Sequence, residues 1–258
     1  MKKENFDKEQ GHWILAKMGK KILRPGGREL TKKLVSALQV SDRDSVVEFA
    51  PGTGFTASIV LSQSPAQYTG IDSNDAAVKS LNRKFRKNNI CFINGNAAHS
   101  GLADNSQDKV YGEAMLTMHA DHRKQEIISE AHRILKPGGL YAIHELGITP
   151  DDISAEEKAV IQKDLAQSIR VNARPLTKTE WTALLEKQGF EVKHVYTNKM
   201  HLLHAGRMIQ DEGLLRTLKI GYNILANPSA KRRISEMRQT FKKHEKYMNA
   251  IVVIAQKK

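Results

Sequence analysis

A glycine turn placed directly after an apolar run constrains the fold of this chain more than any other feature. The run Val46-Val47-Glu48-Phe49 is rich in apolar and β-branched residues, as expected of a strand that is covered on both faces. Gly52 and Gly54 then permit a tight turn and a close approach of the backbone to a ligand. A helix is predicted over about 55–62, and its first N–H groups would face the same ligand.

A carboxylate follows the turn at the distance that is typical of nucleoside-binding folds. Asp72 ends the next apolar run, about 20 residues after the turn, where an acidic side chain can accept hydrogen bonds from both hydroxyls of a ribose. The turn and the carboxylate together predict a nucleoside-binding α/β domain.

Two further motifs distinguish between the kinds of nucleoside-binding protein. One is Asn94-Gly95-Asn96-Ala97, followed by the run 102–110, and the other is Arg-Ile-Leu-Lys-Pro-Gly-Gly-Leu-Tyr over 133–141. In this order and spacing, the four motifs resemble those of the class I S-adenosylmethionine-dependent methyltransferases. The resemblance covers residues 29–146 well and is closest to the branch that contains the ubiquinone and menaquinone C-methyltransferases and many small-molecule methyltransferases.

The resemblance implies a Rossmann-like, doubly wound α/β fold. Its sheet would have seven strands in the order 3-2-1-4-5-7-6, with strand 7 antiparallel. The alternation of strand and helix patterns along this chain agrees with a mainly parallel sheet. Strands are predicted near 45–50, 67–72, 90–94, 109–118, 140–146, 191–196 and 251–254. Helices are predicted near 8–21, 28–38, 55–62, 74–88, 123–135, 151–170 and 181–188.

We expect a single methyltransferase domain over residues 1–258. Its expected parts are an N-terminal helical lid (1–40), a cofactor-binding core (41–146) and a C-terminal part of the sheet (147–258) with helical insertions at about 151–175 and 201–249. Asn227-Pro228-Ser229 would divide the second insertion into two helices.

Large apolar side chains in the flanking segments could serve the binding of an acceptor. The first helix of the second insertion carries an apolar stripe, and tryptophans occur near both ends of the chain; the residues are Trp13, Trp181, Leu214, Leu218, Tyr222 and Leu225. They would pack their helices onto the core, line an apolar acceptor pocket, or do both.

The resemblance also assigns a set of cofactor-binding residues. S-adenosyl-L-methionine, which becomes S-adenosyl-L-homocysteine, would be held by Glu48, Ala50, Gly52, Gly54, Asp72, Ser73, Asn96, Ala97 and Glu113. Asp72 would bind the ribose, Asn96 the adenine amino group, and Ala97 the adenine ring. Ala50 stands where the family usually has glycine, so it is expected to have a negative φ. Asn96 stands where the family usually has aspartate, and its amide oxygen can still accept a hydrogen bond.

Three candidate catalytic residues lie at the predicted ends of strands, where open α/β sheets bind their ligands. His119 is the first choice for a general base, because imidazole can take a proton near neutral pH. Each candidate has an alternative role. His119 could be a packing residue, Glu113 could contact the cofactor, and His144 could cap the helix that follows it. No metal site is predicted, since neither His119 with His122 nor His201 with His204 has a third ligand at suitable spacing.

The composition limits the kinds of binding partner and the cellular compartment that are expected for this chain. The net charge of +13 resides in the flanking segments, because residues 41–150 hold 11 Lys and Arg against 12 Asp and Glu. Such a surplus can attract nucleic acid or an anionic membrane, but the cations alternate with apolar residues, which favours solvated helix surfaces over both. Cys91, the one cysteine, is expected to be buried on the third strand. A reducing, cytoplasmic setting is expected, with no membrane span or signal peptide and with the chain as a monomer or homodimer.

The favoured function is methyl transfer to a small, hydrophobic or aromatic acceptor. The alternatives are an RNA or protein methyltransferase that uses the basic flanks, a nicotinamide-dependent oxidoreductase on a similar fold, and a protein that binds the cofactor without chemistry. The fourth-strand region lacks the Asn-Pro-Pro-aromatic signature of many base and amide N-methylating enzymes. The 96–97 and 136–139 motifs have no role in an oxidoreductase.

Overall fold

The computed structural model of the chain describes residues 6–200 and 205–258 and is built around one β-sheet. The strands are β1 (Ser45–Phe49), β2 (Gln67–Asp72), β3 (Ile90–Asn94), β4 (Gln107–Glu113), β5 (Leu135–Ile148), β6 (Leu176–Thr177), β7 (Phe190–Lys199) and β8 (Met248–Lys257). Seven of them follow the order β3-β2-β1-β4-β5-β8-β7, and the two-residue β6 pairs with β5. β8 is antiparallel to both of its neighbours. With β6 set aside, this is the predicted order 3-2-1-4-5-7-6, so the predicted fold is confirmed.

Helices cover both faces of the sheet. The α-helices of the described residues are α1 (Gly11–Lys17), α2 (Gly27–Leu38), α3 (Phe55–Leu61), α4 (Asp75–Lys84), α5 (Asp121–Ile134), α6 (Ala155–Ile169), α7 (Lys178–Lys187), α8 (Ala205–Glu212), α9 (Leu214–Leu225) and α10 (Pro228–Lys243). Successive residues of a strand point to opposite faces, so Val47 packs in the cluster with α5 and α7, and Val46 in the cluster with α2, α3 and α4. None of the helices in this part of the chain has the length and apolarity that a membrane span requires.

Segments from the two ends of the chain form a helical layer beside the sheet. Ile14 of α1 packs with Ile220 of α9 and Met237 of α10. α2 instead packs on the sheet through its buried leucines, including Leu30. The predicted lid 1–40 therefore contains elements with different packing, and the domain divisions stay predictions.

The fourth strand ends earlier than predicted. The pattern predicts a strand over 109–118, whereas β4 ends at Glu113 and a short 3-10 helix follows over Leu116–Met118. The carboxylate of Glu145 accepts the backbone N–H groups of residues 115–117 at 2.8 to 3.0 Å. These N–H groups are satisfied by a side chain rather than by a neighbouring strand, and the chain turns away from the sheet.

Over its described residues, 205–249, the second insertion contains three α-helices rather than the predicted two. Gly213, with a φ of +80°, separates α8 from α9. Asn227 caps α10 and coincides with the predicted division of the insertion. His201 and His204, for which no metal site is predicted, lie outside the described residues.

The prediction of a buried thiol is wrong. Cys91 lies on β3, as expected, but its side chain is exposed. β3 is an edge strand of the sheet, and the pattern of apolar residues does not distinguish an edge strand from a central one.

Candidate functional site

A cavity of about 810 Å³ opens at the carboxyl ends of β1, β2 and β4. The strand order reverses between β1 and β4, and open α/β sheets bind their ligands at such a point. Seven of the nine predicted cofactor residues line the cavity: Ala50, Gly52, Asp72, Ser73, Asn96, Ala97 and Glu113. Of the predicted catalytic residues, His119 and Glu113 line it, whereas His144 lies behind its wall.

The glycine turn adopts an unusual backbone conformation. Ala50, Gly52 and Gly54 have φ values of +54°, +57° and +71°. A Cβ at Gly54 would lie 2.4 Å from a methyl carbon of Leu81, so any other residue there would have to displace that side chain. The expectation of a negative φ at Ala50 is wrong, because the turn holds this alanine in the left-handed region that glycine occupies without cost.

Asp72 connects the end of β2 to this turn. Its carboxylate accepts the N–H of Gly52 at 3.0 Å and the N–H of Asn74 at 2.9 Å. The side chain is 8% exposed and lines the cavity. Each carboxylate oxygen can accept a further hydrogen bond, so Asp72 offers acceptor capacity to a ligand that carries hydroxyl groups.

Asn96 is already engaged by the protein. Its Oδ1 accepts the N–H of Ala98 at 3.0 Å and Nη2 of Arg123 at 2.5 Å. Both acceptor directions of the amide oxygen are therefore occupied, and the predicted hydrogen bond from an adenine amino group would compete with Arg123. The adenine role of Asn96 stays a prediction.

Glu113 is the centre of a buried polar network. Its carboxylate accepts hydrogen bonds from Thr31 at 2.7 Å, from Nε of Arg24 at 3.3 Å, and from the Thr56 hydroxyl. Nδ1 of His144 lies 2.7 Å from the same carboxylate. Burial opposes ionisation, but the hydrogen bond from His144 and the charge of Arg24 outweigh it and lower the pKa of Glu113 to about 2.

His144 has both of its ring nitrogens occupied inside the protein. Nε2 accepts the N–H of Gly26 at 3.1 Å, so Nδ1 carries the proton that is donated to Glu113. Gly26 is the N-cap of α2, which precedes His144 by more than a hundred residues. His144 thus binds the start of α2 rather than capping the helix that follows it, and its catalytic role stays a prediction.

Arg24 is a site residue that sequence reasoning missed. Its side chain lines the cavity and is 9% exposed, yet Nη2 is buried and has no hydrogen-bond partner within the described residues. An unpartnered guanidinium nitrogen at a cavity wall fits an anionic group such as a carboxylate. The signal in the sequence was an arginine directly before Pro25-Gly26-Gly27, which indicated only the end of a helix.

Two histidines face the cavity. Burial, with the charges of Arg123 and Lys124, lowers the pKa of His119 from its ordinary 6.5. Burial, followed by the charge of Arg24, lowers the pKa of His12 to about 4. Both imidazoles are therefore neutral at physiological pH and able to accept a proton or a hydrogen bond.

One part of the cavity wall is apolar, and of the six predicted residues it contains Trp13. Its side chains are Trp13, Leu23, Met115, Met118, Ile127 and Val171. Trp181 is instead fully buried in the core and donates from Nε1 to the Leu146 carbonyl at 3.2 Å. The stripe on α9 neither packs on the core nor lines this cavity, since Leu214, Leu218, Tyr222 and Leu225 are 59 to 72% exposed.

Glu48 is buried on β1 and does not line the cavity. Tyr68 and Tyr111 donate their hydroxyls to its carboxylate, the second at 2.8 Å, and the side chain is fully buried. Burial raises the pKa of Glu48 to about 7. The geometry shows Glu48 buried between two tyrosines, and its predicted contact with the cofactor stays a prediction.

Comparisons with known proteins agree with this arrangement. The chain matches the family described as a methyltransferase domain over residues 47–143. An uncharacterised methyltransferase of Synechocystis is 30% identical over 71% of this chain and 86% of its own length. A sterol 24-C-methyltransferase of Neurospora crassa is 26% identical over 62% of this chain, which spans only 43% of that protein.

A solved structure shows the same fold. Phosphoethanolamine N-methyltransferase 2 of Haemonchus contortus, in complex with S-adenosyl-L-methionine, gives a TM-score of 0.71 at 17% identity and covers 96% of this chain and 56% of its own. The match to the methyltransferase domain spans β1 to β5, which supply the glycine turn, Asp72 and Glu113. The chain belongs to the class I S-adenosylmethionine-dependent methyltransferases.

Proposed function

We propose that the chain transfers the methyl group of S-adenosyl-L-methionine to a small, largely apolar acceptor. The observation that carries this proposal is that the glycine turn, Asp72 and Arg24 line the same cavity as His119 and an apolar wall. Nη2 of Arg24 has no hydrogen-bond partner in the part of the chain that the structure describes. The first group of residues fits the cofactor, and the second fits an acceptor beside it.

The polar part of the cavity fits the three portions of the cofactor. We assign the ribose hydroxyls to Asp72, and the adenine to the part of the wall formed by Ser73, Asn96 and Ala97. The carboxylate of the methionine portion pairs with Nη2 of Arg24, which supplies the missing hydrogen bond of that buried nitrogen. Glu113 holds Arg24 in place through Nε and stays ionised down to about pH 2, the value of its pKa.

The cofactor supplies an electrophilic methyl carbon. This chain therefore has to bind the cofactor, align the acceptor with the methyl carbon and protect both from water. Trp13, Leu23 and Met118 exclude water from the apolar part of the cavity. His119 is neutral near pH 7 and can take a proton from the acceptor at a ring nitrogen.

The apolar wall favours a hydrophobic or aromatic acceptor over a highly charged one. The Neurospora relative, named as a sterol 24-C-methyltransferase, supports an acceptor of this kind. No such wall would be needed for a strand of RNA, whose phosphates require cations.

A calorimetric titration of the whole chain tests the cofactor assignments. S-adenosylhomocysteine should bind at micromolar concentration and NAD should not. Arg24→Met should weaken S-adenosylhomocysteine binding at least tenfold but leave 5′-methylthioadenosine, which lacks the amino-acid portion, bound as before. An equal loss for both ligands would show that Arg24 does not contact the carboxylate.

A turnover assay tests the acceptor class. Formation of S-adenosylhomocysteine should increase with apolar aromatic or isoprenoid-like acceptors and not with RNA or a mixed peptide pool. Cofactor binding without turnover on any acceptor would favour a binding protein, and turnover on RNA would overturn the small-molecule proposal.

A further inference from the structure

An apolar face is exposed along the whole length of α9. The face consists of Leu214, Leu215, Leu218, Tyr222 and Leu225, which are 59 to 83% exposed. At 3.6 residues per turn these five side chains fall within an arc of about 100°. Ile220, on the opposite side of the helix, is fully buried against α1 and α10. α9 is therefore anchored by one apolar side and presents a second apolar side, the α9 face, to the outside.

Cations adjoin the α9 face. α9 itself contains Arg216 and Lys219 and no acidic residue. Leu214, Leu215 and Lys219 line a shallow groove of about 570 Å³ that shares Gly19 and Arg216 with a second hollow. The apolar side chains and the second hollow thus form one continuous surface.

The second hollow, of about 340 Å³, is strongly basic. Four cationic side chains line it: Lys20, Lys21, Lys84 and Arg216. The Lys20 side chain is fully buried, and its Nζ has no hydrogen-bond partner among the described residues, although Glu212 lies 3.8 Å away. Thr53 and Ser58 add hydroxyl groups to this basic hollow. Glu212 also lies 3.8 Å from Nε of Arg216, so one carboxylate offsets part of the charge of the four cations. The remaining excess of positive charge, with a buried ammonium group that lacks a hydrogen-bond acceptor, fits a phosphate.

We propose that the α9 face and the basic hollow dock the protein on the surface of an anionic lipid bilayer. The apolar side chains would enter the boundary between headgroups and acyl chains, and the basic hollow would take a lipid phosphate. A helix with leucines and a tyrosine on one face and cations at its edge is typical of interfacial binding. An anionic bilayer matches both the apolar and the basic part of this surface. A second copy would bring its own net charge of +13 and the same cations against it, which disfavours self-association.

The docking surface is connected to the methyltransferase cavity. Asn223 of α9 donates to the Met18 carbonyl at 2.9 Å, and Glu212 accepts the N–H of Lys21 and of Ile22. This segment continues directly into Leu23 and Arg24 of the cavity wall, and Thr53 lines both the hollow and the cavity. Docking would bring the cavity close to the lipid surface, where an apolar acceptor dissolves; this consequence rests on the proposed function, whereas docking itself does not.

Vesicle flotation with the full chain tests the proposal. The probes are vesicles of phosphatidylcholine alone and of phosphatidylcholine with a minor fraction of phosphatidylglycerol. We expect the wild type to bind the anionic vesicles at least tenfold more tightly than the neutral ones. Leu215→Ser with Leu218→Ser should lower this affinity at least tenfold, while Val160→Ser, at an exposed apolar position of α6, should not.

The basic hollow is tested by charge reversal. Lys21→Glu with Lys84→Glu should remove the preference for phosphatidylglycerol, whereas the matched pair Lys178→Glu and Lys187→Glu, both on α7, should keep it. Tyr222→Trp gives a direct signal, since the added indole should shift its emission to the blue on anionic vesicles. All of these positions are exposed and none lines the cavity, and a thermal unfolding scan of each variant confirms that it is folded.

Three results would overturn the proposal. They are absence of wild-type binding to the anionic vesicles, undiminished binding by the double-serine variant, and a Tyr222→Trp emission that does not shift. A sedimentation experiment distinguishes the other occupants: a dimer that the serine substitutions dissociate, without vesicle binding, would assign the α9 face to a second copy. Salt-sensitive RNA binding through Lys21 and Lys84 without vesicle binding would assign the hollow to nucleic acid.

Discussion

Ala50 is held in a backbone conformation that suits glycine. Its φ of +54° places the Cβ close to the following carbonyl, which costs about 1 kcal/mol even after the greater freedom of glycine in the unfolded chain is counted. We predict that Ala50→Gly increases the free energy of unfolding by up to about 1 kcal/mol, as measured by denaturant titration. Ala76→Gly, at an exposed position of α4, is the control and should lower it by a similar amount. Destabilisation by both substitutions would refute strain at Ala50.

The predicted role of His119 as a general base can be tested by enzyme kinetics. We expect His119→Ala to reduce turnover roughly a hundredfold while leaving S-adenosylhomocysteine affinity nearly unchanged. Because the pKa of His119 lies below 6.5, wild-type turnover should be constant above that pH and fall as the imidazole takes up a proton at lower pH. Unchanged turnover in the variant, or a pH profile shared by both proteins, would return His119 to a packing role. His122→Ala, at an exposed position of α5, is the matched control.

At the scale of elements, local signals predicted most helices and strands. β2 and β3 begin and end where predicted. A capping box between Thr177 and Glu180 starts α7 at Lys178, three residues before the predicted start. The end of β4 was not predictable in this way. It depends on hydrogen bonds to Glu145, which is about 30 residues away in the chain and whose partners no local pattern reveals.

Periodicity identified α9 but not its orientation. The leucine spacing predicts a helix with an apolar stripe, and for a single helix such a stripe usually faces the core. α9 has a second apolar side at Ile220 and Ile224, which packs with α1 and α10 and leaves the stripe outside. The choice between the two sides depends on the tertiary partners, which the local sequence does not contain.

The residues of the site also fall into those that local motifs reveal and those that only tertiary contacts place. The glycine turn, Asp72 and the 96–97 pair were found because each belongs to a short motif at the end of a strand. Arg24 and His12 reach the cavity from the N-terminal segment, and that segment is placed by α8, α9 and α10 near the other end of the chain. Contacts that span about two hundred residues have no signature in a single sequence.

At the scale of the whole molecule, the site depends on the two ends of the chain meeting. The Phe6 N–H donates to the Ser229 hydroxyl at 3.2 Å, and Phe6 is buried among residues of α1, α9 and α10. The neutral core carries the cofactor motifs, whereas the basic flanks close the cavity and supply three of the four cations of the basic hollow, Lys20, Lys21 and Arg216. The uneven charge of the sequence thus corresponds to the different roles of the core and of the flanking segments.

We expect the ionisation of Glu48 to make the free energy of unfolding of the whole molecule depend on pH. Burial raises the pKa of this carboxyl from its ordinary 4.5 to about 7. Between these two pH values the unfolded chain loses a proton that the folded chain keeps, so the folded state loses stability as the pH rises, by at most about 3 kcal/mol. Glu48→Gln keeps an oxygen acceptor for Tyr68 and Tyr111 and has no charge to bury.

We therefore predict that the stability of Glu48→Gln, relative to wild type, increases from pH 4.5 to pH 7 and is then constant. Denaturant unfolding at a series of pH values measures this. Glu113 gives a control of opposite sign: its lowered pKa of about 2 means that its ionised form stabilises the fold above pH 4.5, so Glu113→Gln should lose stability there. A stability difference between Glu48→Gln and wild type that does not change with pH would show that Glu48 ionises as easily in the folded protein as in the unfolded chain.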